Sequence, residues 1–446
     1  MIHCFTNASA RLASVITTEI RERVGHLQPR QIVLKPNWVL HETDPRFPIS
    51  ALVTDARVIV AATRACAEIF PAAQITVCDC PLQRADWMRL CQQTGLAPHI
   101  RALMAEFPGR VSFHDLRQEV LMYENGRLVP VSGVRHGDPA GYREVGIGSE
   151  SHLEEISDAA DKFSIHDHDR RKAQGNHQKG NHRYFVSQTI LDADLIINLP
   201  KWKTHSKSGL TGALKNLVGI NGDKAYLPHF RRGSPSWGGD EYTDRGRWLA
   251  WLQNTLRDAT RENVRWAYLI MLPVWRLAKA VRTRLRRLLG SEMPPDFYVG
   301  GGGWYGNETI WRMIYDLNMV VQRMDANGRL HPIPQRHYLC IVDGLVAGEG
   351  EGPLFPKPRT LDWLVFGEDP FAVDATLAWF MGYDPLRLPI IRNRAHFLGP
   401  GWGDFELDDL EILRDGCLER LTHSEVNFAF QPPPGWLGHV ERATGA

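Results

Sequence analysis

Short apolar runs that end in polar side chains recur along the chain and predict the buried strands of a parallel sheet. These runs cover residues 31–34, 74–79, 195–199, 338–342 and 361–366. Amphipathic stretches at residues 9–24 and 56–69, the second behind the helix-capping pair Thr54-Asp55, predict helices beside these strands. The alternation is typical of right-handed strand–helix–strand crossovers and predicts an α/β fold with mostly parallel sheets.

The length of the chain predicts more than one core. At 446 residues it exceeds the size that a single hydrophobic core normally serves. We expect two α/β domains with an active-site cleft between them, together with a helical insertion. The expected boundaries are 1–240 for the N-terminal α/β domain, 241–335 for the mainly helical insertion and 336–446 for the C-terminal α/β domain.

The predicted insertion joins an aromatic apolar segment to a basic helix. Residues 266–275 read WAYLIMLPVW, and residues 261–290 hold eight Lys or Arg against one acid, Glu262. An interfacial membrane helix needs this pattern, which therefore predicts peripheral membrane contact through residues 266–289. A helix whose apolar part packs inside the protein and whose arginines are solvated explains the pattern equally well.

Composition and charge narrow the classes of function. The net charge of +1 provides no global field that would attract nucleic acid, so electrostatic recognition must be local. The seven cysteines are scattered without a C-x-x-C pair, which leaves no ligand pattern for a zinc ribbon or an iron–sulfur cluster. No apolar run is long enough to span a bilayer, and the N-terminal residues lack a signal-peptide pattern. We therefore expect a cytoplasmic protein, on the cytoplasmic face of a membrane if residues 266–289 contact lipid.

Residues 201–220, KWKTHSKSGLTGALKNLVGI, follow the predicted strand at 195–199 and concentrate cationic and polar side chains. In an open α/β sheet, ligands bind outside the carboxyl ends of the strands, where this segment would lie. Its lysines can offer charge to a phosphate or carboxylate, and its glycines let the backbone approach a ligand closely. A solvated basic loop is the alternative. The candidate site residues are Lys201, Lys203, Thr204, His205, Thr211, Gly212, Lys215 and Asn216.

Other strand ends and turns add candidates for the same site. Lys35 and Asn37 follow the predicted strand at 31–34, although an ordinary turn explains them as well. His229 and Arg231 could complete an anion pocket or belong to a simple basic turn.

Acidic and histidine residues raise the question of a divalent metal. The run His-Asp-His-Asp at 166–169 has the composition of a metal site, and a polar surface loop is the alternative. Asp343, Asp369 and Asp374 could bind metal, hold lysines of the 201–220 segment or cap helices. The predicted metal ligands are His166, His168, Asp79, Asp343 and Asp374.

Four segments resemble the DUF362 family, whose biochemical role is largely unassigned. They are IVLKPNWV at 32–39, ADLIINLPKWKTHSKSGLTGALKNLVGI at 193–220, IVDGLVAGEGEGP at 341–353 and FGEDPFAVDATLAWFMGYDP at 366–385. The resemblance extends from about residue 30 to residue 410 and implies a functional role for Lys35 and Asn37. Some members of the family carry a ferredoxin module, which this chain lacks, and this implies a separate electron carrier as a partner.

A second resemblance is to the lactate racemase family. His205 precedes Lys215 by ten residues in a glycine-rich segment that ends in Gly219-Ile220. In that family the lysine holds a nickel-pincer nucleotide, while the histidines ligate metal or move protons. The resemblance implies a site of His205, Lys215 and His229 in a cleft between two domains. Asn216 departs from that family's sequence, which puts the nickel cofactor in doubt.

Together these patterns predict an enzyme that acts on a small anionic substrate by proton or hydride transfer, in the manner of a racemase or epimerase. His205 would serve as general acid or base, and Lys215 as an electrophilic anchor or, if desolvated, a nucleophile. Lys35, Lys201 and Lys203 would bind the carboxylate or phosphate. Two alternatives stay open: an oxidoreductase served by a separate iron–sulfur carrier, and a non-catalytic anion-binding protein at a membrane surface in an envelope or secondary-metabolite pathway.

Overall fold

Eleven strands form one large mixed sheet at the centre of the fold. The computed structural model describes residues 1–124, 127–131, 137–165, 170–245 and 300–442. The strands of the large sheet are β1 (Ile2–Phe5), β2 (Gln31–Pro36), β3 (Gln74–Asp79), β4 (Val111–Asp115), β11 (Leu195–Leu199), β12 (Lys201–His205), β13 (Gly209–Thr211), β15 (His337–Glu351), β16 (Phe355–Gly367), β17 (Glu411–Arg414) and β18 (Cys417–Arg420).

The remaining strands form three small sheets. They are β5 (Leu121–Glu124) with β6 (Arg127–Pro130), β7 (Tyr142–Gly146) with β10 (Asn181–Ser187) and β9 (His177–Gln178), and β8 (Phe163–Ser164) with β14 (Phe230–Arg231). The α-helices of the described residues are α1 (Leu12–Val24), α2 (Ile49–Leu52), α3 (Ala56–Ile69), α4 (Trp87–Gln93), α5 (Leu96–Glu106), α6 (Arg170–Asn176), α7 (Gln188–Leu191), α8 (Ala213–Asn216), α9 (Ile310–Arg323), α10 (Pro370–Phe380) and α11 (Pro389–Arg392).

The order of the large sheet is β18-β17-β1-β16-β15-β11-β2-β3-β4. From β15 to β4 the neighbouring strands are parallel, whereas β16 runs antiparallel to both β15 and β1. β12 leaves the end of β11 and pairs with the extended part of β15, and β13 folds back on β12. The predicted α/β fold with a mostly parallel sheet is thus confirmed.

Side chains of the central strands alternate between two apolar layers. In β11, Leu195 and Ile197 face α1, α3 and α5, while Ile196 faces α9 and α10. Helix α3 turns the apolar face around Val58, Ile59 and Ala62 toward the sheet, as the predicted amphipathic pattern requires. Each parallel strand is therefore covered on both faces, and its polar residues collect where it ends.

Several predicted elements match the observed ones. The helix at 56–69 has the predicted bounds, and the Asp55 side chain caps it by accepting from the Arg57 N–H at 2.8 Å. The strand at 74–79 is β3. The strand expected at 338–342 is longer than predicted, because β15 continues through a glycine-rich stretch that pairs with β16. The segment at 201–220 contains a buried hairpin and helix α8 rather than a loop.

Strands of both expected α/β domains join in the one large sheet, where β11 pairs with β15. A cleft between two separate sheets is not seen in the part of the chain that the structure describes, and the boundaries 1–240, 241–335 and 336–446 stay a prediction. The basic segment at 266–289 lies outside the described residues. Within the described ranges, no helix combines the length and apolarity needed to cross a membrane.

Candidate functional site

The β12–β13 hairpin presents cationic side chains beyond the end of β11. Lys201, Lys203 and His205 alternate with Trp202 along β12, so they lie on the face opposite the indole. Trp202 packs against the rings of Phe428 and Phe430 in the core. The alternation therefore buries the aromatic ring and turns the three cationic or basic groups toward the ends of the neighbouring strands.

Two of the lysines are held by carboxylates at strand ends. Lys35 at the end of β2 forms an ion pair with Asp79 of β3, with 2.5 Å between Nζ and Oδ1. Lys201 pairs with Asp343 of β15 at 2.8 Å, and all four side chains are buried. A buried ion pair of this kind is stable only when both partners are present. These two lysines are therefore neutralised by their partners.

Gly219 closes over the Lys35–Asp79 pair. A Cβ at this position would lie 2.3 Å from Asp79 Oδ1 and 2.6 Å from Lys35 Nζ. Asp79 also accepts from the backbone N–H groups of Trp38 at 2.6 Å and Cys80 at 2.7 Å. The pair is thus fixed from several sides, and only glycine fits at residue 219.

A chain of amide side chains fixes α8 against the strand ends. Asn37 Nδ2 donates to Asn216 Oδ1 at 2.9 Å, and Asn216 Nδ2 donates to Asn198 Oδ1 at 2.7 Å. Asn198 Nδ2 donates in turn to the Tyr338 hydroxyl at 2.7 Å. Sequence reasoning missed Asn198 and Tyr338. The available signal was an amide inside the apolar run of β11, because a buried amide needs hydrogen-bond partners.

Asp374 caps the start of α8 rather than its own helix. Its carboxylate accepts from the N–H groups of Ala213 at 2.6 Å and Leu214 at 3.2 Å. A Cβ on Gly212 would lie 2.0 Å from Asp374 Oδ1, which explains the glycine. Burial raises the pKa of Asp374 to about 7. Helix α10 itself begins at Pro370, behind the cap Asp369.

Lys215 on α8 differs from the other lysines of the site. Its side chain is partly buried, and its amine has no hydrogen-bond or ion-pair partner among the described residues. Burial lowers its pKa to about 7, and the charges of Lys224, Lys207 and Lys35 act in the same direction. The amine of Lys215 is therefore deprotonated more easily than that of an ordinary lysine.

His205 has one defined tautomer. Its Nδ1 accepts the backbone N–H groups of Lys207 at 3.1 Å and Ser208 at 3.3 Å, so the ring proton is on Nε2. Burial holds the pKa of His205 well below its ordinary value, and the charges of Lys215 and nearby lysines lower it further. The imidazole is consequently neutral and donates a hydrogen bond through Nε2. His229 carries its proton on Nδ1, which donates to the Leu227 carbonyl at 2.8 Å.

Among the described residues of the site, lysines outnumber carboxylates. Lys203 donates to the Leu52 carbonyl and Lys224 to the Cys80 carbonyl, neither of which carries a full charge. Lys207 lies over the Phe230 ring at 5.0 Å. Burial, followed by the charges of Lys201 and Lys215, holds the pKa of Lys203 well below its ordinary value. Such surroundings suit a bound anion.

Several predicted site residues have structural contacts of their own. The Thr204 hydroxyl donates to the Gly350 carbonyl at 3.0 Å, and Arg231 pairs with Asp240 at 3.3 Å. The Thr211 hydroxyl, directly across the hairpin from Lys203, is buried without a hydrogen-bond partner among the described residues. Thr211 therefore stays a candidate for ligand contact.

Three of the five predicted metal ligands have other partners in the structure. Asp79 holds Lys35, Asp343 holds Lys201 and Asp374 caps α8. In the described ranges no group of three or more His, Cys, Asp or Glu side chains is arranged to hold a metal ion. The other two predicted ligands, His166 and His168, lie outside the described residues. The metal site predicted from the sequence therefore stays a prediction, and the same holds for the nickel-pincer nucleotide.

Comparisons with known proteins give a family and a distant likeness to a solved structure. The family model described as "Domain of unknown function (DUF362)" matches residues 120–379, which include the β12–β13 hairpin, α8 and Asp374. A crystal structure of a protein from Thermotoga maritima is similar at 11% identity and a TM-score of 0.34, covering 78% of this chain and 54% of that one. The chain thus spans about half the length of that protein, and so remote a likeness supports no argument about function. No curated protein matches. The resemblance to lactate racemases is not shown by these comparisons.

Proposed function

The chain belongs to the DUF362 family, and because the function of that family is unknown, we propose one from the residues of the site. We propose an enzyme that acts on a small anionic substrate, a carboxylate or a phosphate, by proton transfer at a carbon next to a polar oxygen. Lys215 would supply a neutral amine to the reacting carbon. His205 would hold the substrate oxygen through Nε2–H.

One observation supports the proposal: the described charged groups that act most strongly on His205 are positive. Its charged neighbours are Lys215, Lys207 and Lys203, together with His229 when that ring is protonated. An anion about 5 Å from one such charge gains roughly 3 kcal/mol at an effective dielectric constant of about 20. A bound carboxylate or phosphate would relieve the mutual repulsion of these groups. The excess of cations therefore favours an anionic ligand.

Unsatisfied polar atoms at the same strand ends also favour a polar ligand. Asn37 Oδ1 and Thr211 Oγ1 are buried and have no hydrogen-bond partner among the described residues. Buried polar atoms in proteins usually have partners, and an unpaired one is costly. A substrate with a hydroxyl or carboxylate group would provide the missing donor and acceptor.

The role of His205 differs from the one expected from sequence. A general base must offer a lone pair, but Nδ1 of His205 is occupied by two backbone N–H groups and Nε2 carries the proton. A neutral imidazole that donates to a developing oxyanion is an established way to stabilise an enolate-like transition state. We therefore assign His205 to the substrate oxygen, and the amine of Lys215 to the reacting carbon.

Exchange of carbon-bound hydrogen with solvent tests this proposal. The protein would be incubated in D2O with small hydroxy acids, oxo acids and phosphorylated sugar acids, and proton NMR would follow the signal next to the carboxylate or carbonyl. We expect deuterium incorporation in at least one compound, and its loss in Lys215→Met. His205→Gln, which keeps a side-chain N–H donor, should retain more activity than His205→Ala. The absence of exchange in every compound would contradict proton transfer.

The other functions considered from sequence gain no specific support. A membrane-surface role depends on residues 266–289, which lie outside the described residues. An oxidoreductase role depends on a separate electron carrier. A divalent metal would depend on His166 and His168, also outside the described residues.

A further inference from the structure

The lysines around the site differ in what holds their amines. Lys35 and Lys201 pair with carboxylates, and Lys203 and Lys224 donate to backbone carbonyls. Lys215 has neither kind of partner among the described residues. An amine that takes part in covalent chemistry must be able to approach a substrate atom, and a hydrogen-bonded or paired ammonium is held away from it. Lys215 is therefore the lysine best suited to react.

We propose that Lys215 forms an imine with the carbonyl group of its substrate, so that the site takes small carbonyl compounds that carry a carboxylate or phosphate, such as 2-oxo acids. This inference rests on the proposed function, which it narrows from an anionic substrate to an anionic carbonyl compound. It assigns to Lys215 a nucleophilic role, whereas the broader proposal requires only that its amine is neutral.

The surroundings of Lys215 favour the neutral, nucleophilic form of its amine. The charged groups that act on it are Lys224, Lys207 and Lys35, and each disfavours a further positive charge nearby. The Asp79 carboxylate pairs with Lys35, one of these three lysines. Desolvation and neighbouring cations together are the usual means by which an enzyme activates a lysine for imine formation.

The step balances without any redox partner. The Lys215 nitrogen lone pair forms a bond to the carbonyl carbon, and the C=O π electrons move to oxygen, where His205 Nε2–H donates a hydrogen bond. Proton transfer from nitrogen to oxygen gives a carbinolamine. The C–O bond then breaks as the C=N bond forms, and the carbonyl oxygen leaves as water with the two hydrogens of the amine. The resulting imine, once protonated, withdraws electrons from the adjacent carbon and makes its hydrogen more acidic.

The anionic group of the substrate provides selectivity. A carbonyl compound without charge would give no anionic partner to Lys203 and Lys224, whose amines donate to backbone carbonyls, whereas a carboxylate or phosphate next to the carbonyl would supply one. The unpaired Thr211 hydroxyl can donate to the same anionic group. Neutral aldehydes and ketones should therefore bind and react more weakly than charged ones of the same size.

Reductive trapping tests the imine directly. The full-length protein would be incubated at pH 7 with glyoxylate, pyruvate or glyceraldehyde 3-phosphate and sodium cyanoborohydride, and then analysed by intact mass and peptide mapping. We expect one added group per chain, equal to the carbonyl compound less its oxygen atom, located on Lys215. The exposed Lys357 provides an internal control for non-specific alkylation. Lys215→Arg keeps a long basic side chain but cannot form the imine, and should lose the specific product.

The outcomes separate this inference from the broader proposal. Labelling at Lys215 at least tenfold above Lys357 supports the imine, and acetone in place of pyruvate should give much less product. If none of the three charged probes labels Lys215 preferentially, the imine is wrong. Hydrogen exchange that still depends on Lys215 would then leave the proposed function standing, with the amine acting as a base. Because peptide mapping is done on the protein of wild-type sequence, the result does not depend on whether a variant folds.

Discussion

Replacing Lys215 by Met should stabilise the protein at low pH and lose that effect as the pH rises. Met has a similar length and no charge, so it removes the burial of an ammonium group while it keeps most of the packing. In the folded protein the pKa of Lys215 is about 7, against an ordinary value of 10.5. The folded state therefore binds this proton less tightly than the unfolded state does.

Proton linkage gives the sign and the size of the stability difference between Lys215→Met and the wild-type protein. Below about pH 7 both states carry the proton and the folded state bears the full penalty, which decreases as the pH rises from about 7 to 10.5. The difference between these values corresponds to at most about 5 kcal/mol. Since the side chain is partly exposed, solvent screening reduces this, and we expect a gain of about 2–3 kcal/mol at pH 6 that falls by more than half at pH 9.

Chemical denaturation measures the effect. Urea midpoints and slopes of the wild-type protein and Lys215→Met would be compared at pH 6, 7.5 and 9. The matched control is Lys357→Met on the exposed face of β16, for which the difference from wild type should not depend on pH. Groups that titrate equally in wild type and variant cancel in the comparison. A gain for Lys215→Met that is absent at pH 6, or constant between pH 6 and 9, would refute the assignment of a neutral buried amine.

Three further changes probe the support of the site. Lys35→Met leaves the buried carboxylate of Asp79 unpaired and should lower the free energy of unfolding by about 3–5 kcal/mol in urea denaturation; a loss below about 1 kcal/mol would contradict the ion pair. Gly219→Ala places its Cβ 2.3 Å from an Asp79 oxygen and should destabilise by about 1–3 kcal/mol, while Gly300→Ala, with open space around it, should leave the melting temperature unchanged. Burial raises the pKa of Asp374 from 3.8 to about 7, so the stability of the wild-type protein decreases as the pH rises from 3.8 to about 7. The stability of Asp374→Asn relative to wild type should therefore rise by about 2–3 kcal/mol from pH 5 to 8, and a constant difference would rule this out.

The sequence was most informative where one physical rule decides the structure. The helix at 56–69 follows from its apolar period and the Asp55 cap, and the strand at 74–79 follows from its β-branched run. One of the alternatives for the acids of the last third of the chain, that they hold lysines of the 201–220 segment, is realised by Asp343 and Lys201.

Long-range packing decided the parts that the sequence pattern could not give. Glycine weakens a strand, yet β15 continues through Gly344. A Cβ at this position would lie 2.8 Å from the ring of Trp202, so glycine is the residue that lets the tryptophan pack there. The sequence also does not show that the Lys203 amine has a hydrogen-bond partner while the Lys215 amine has none among the described residues. This partner is the Leu52 carbonyl, some 150 positions away along the chain, which accepts from Lys203.

The tautomer of His205 illustrates the same limit. Histidine beside lysines in a polar segment suggests a proton carrier. The backbone N–H groups of Lys207 and Ser208 turn the ring into a hydrogen-bond donor instead, and only the turn between β12 and β13 brings them to Nδ1. Chemistry at this site is therefore determined by the hairpin as much as by the residue types.

The most informative single measurement is the titration of the lysine side chains by NMR, with 13C at the ε-carbon, in the absence and presence of inorganic phosphate, an anion that cannot form an imine. A site of excess positive charge around Lys215 predicts a lysine signal that titrates near pH 7, is lost in Lys215→Met, and titrates at higher pH once the anion is bound. If no signal that titrates below about pH 9 is lost in Lys215→Met, or if the anion leaves that titration unchanged, Lys215 is not a neutral amine in an anion site.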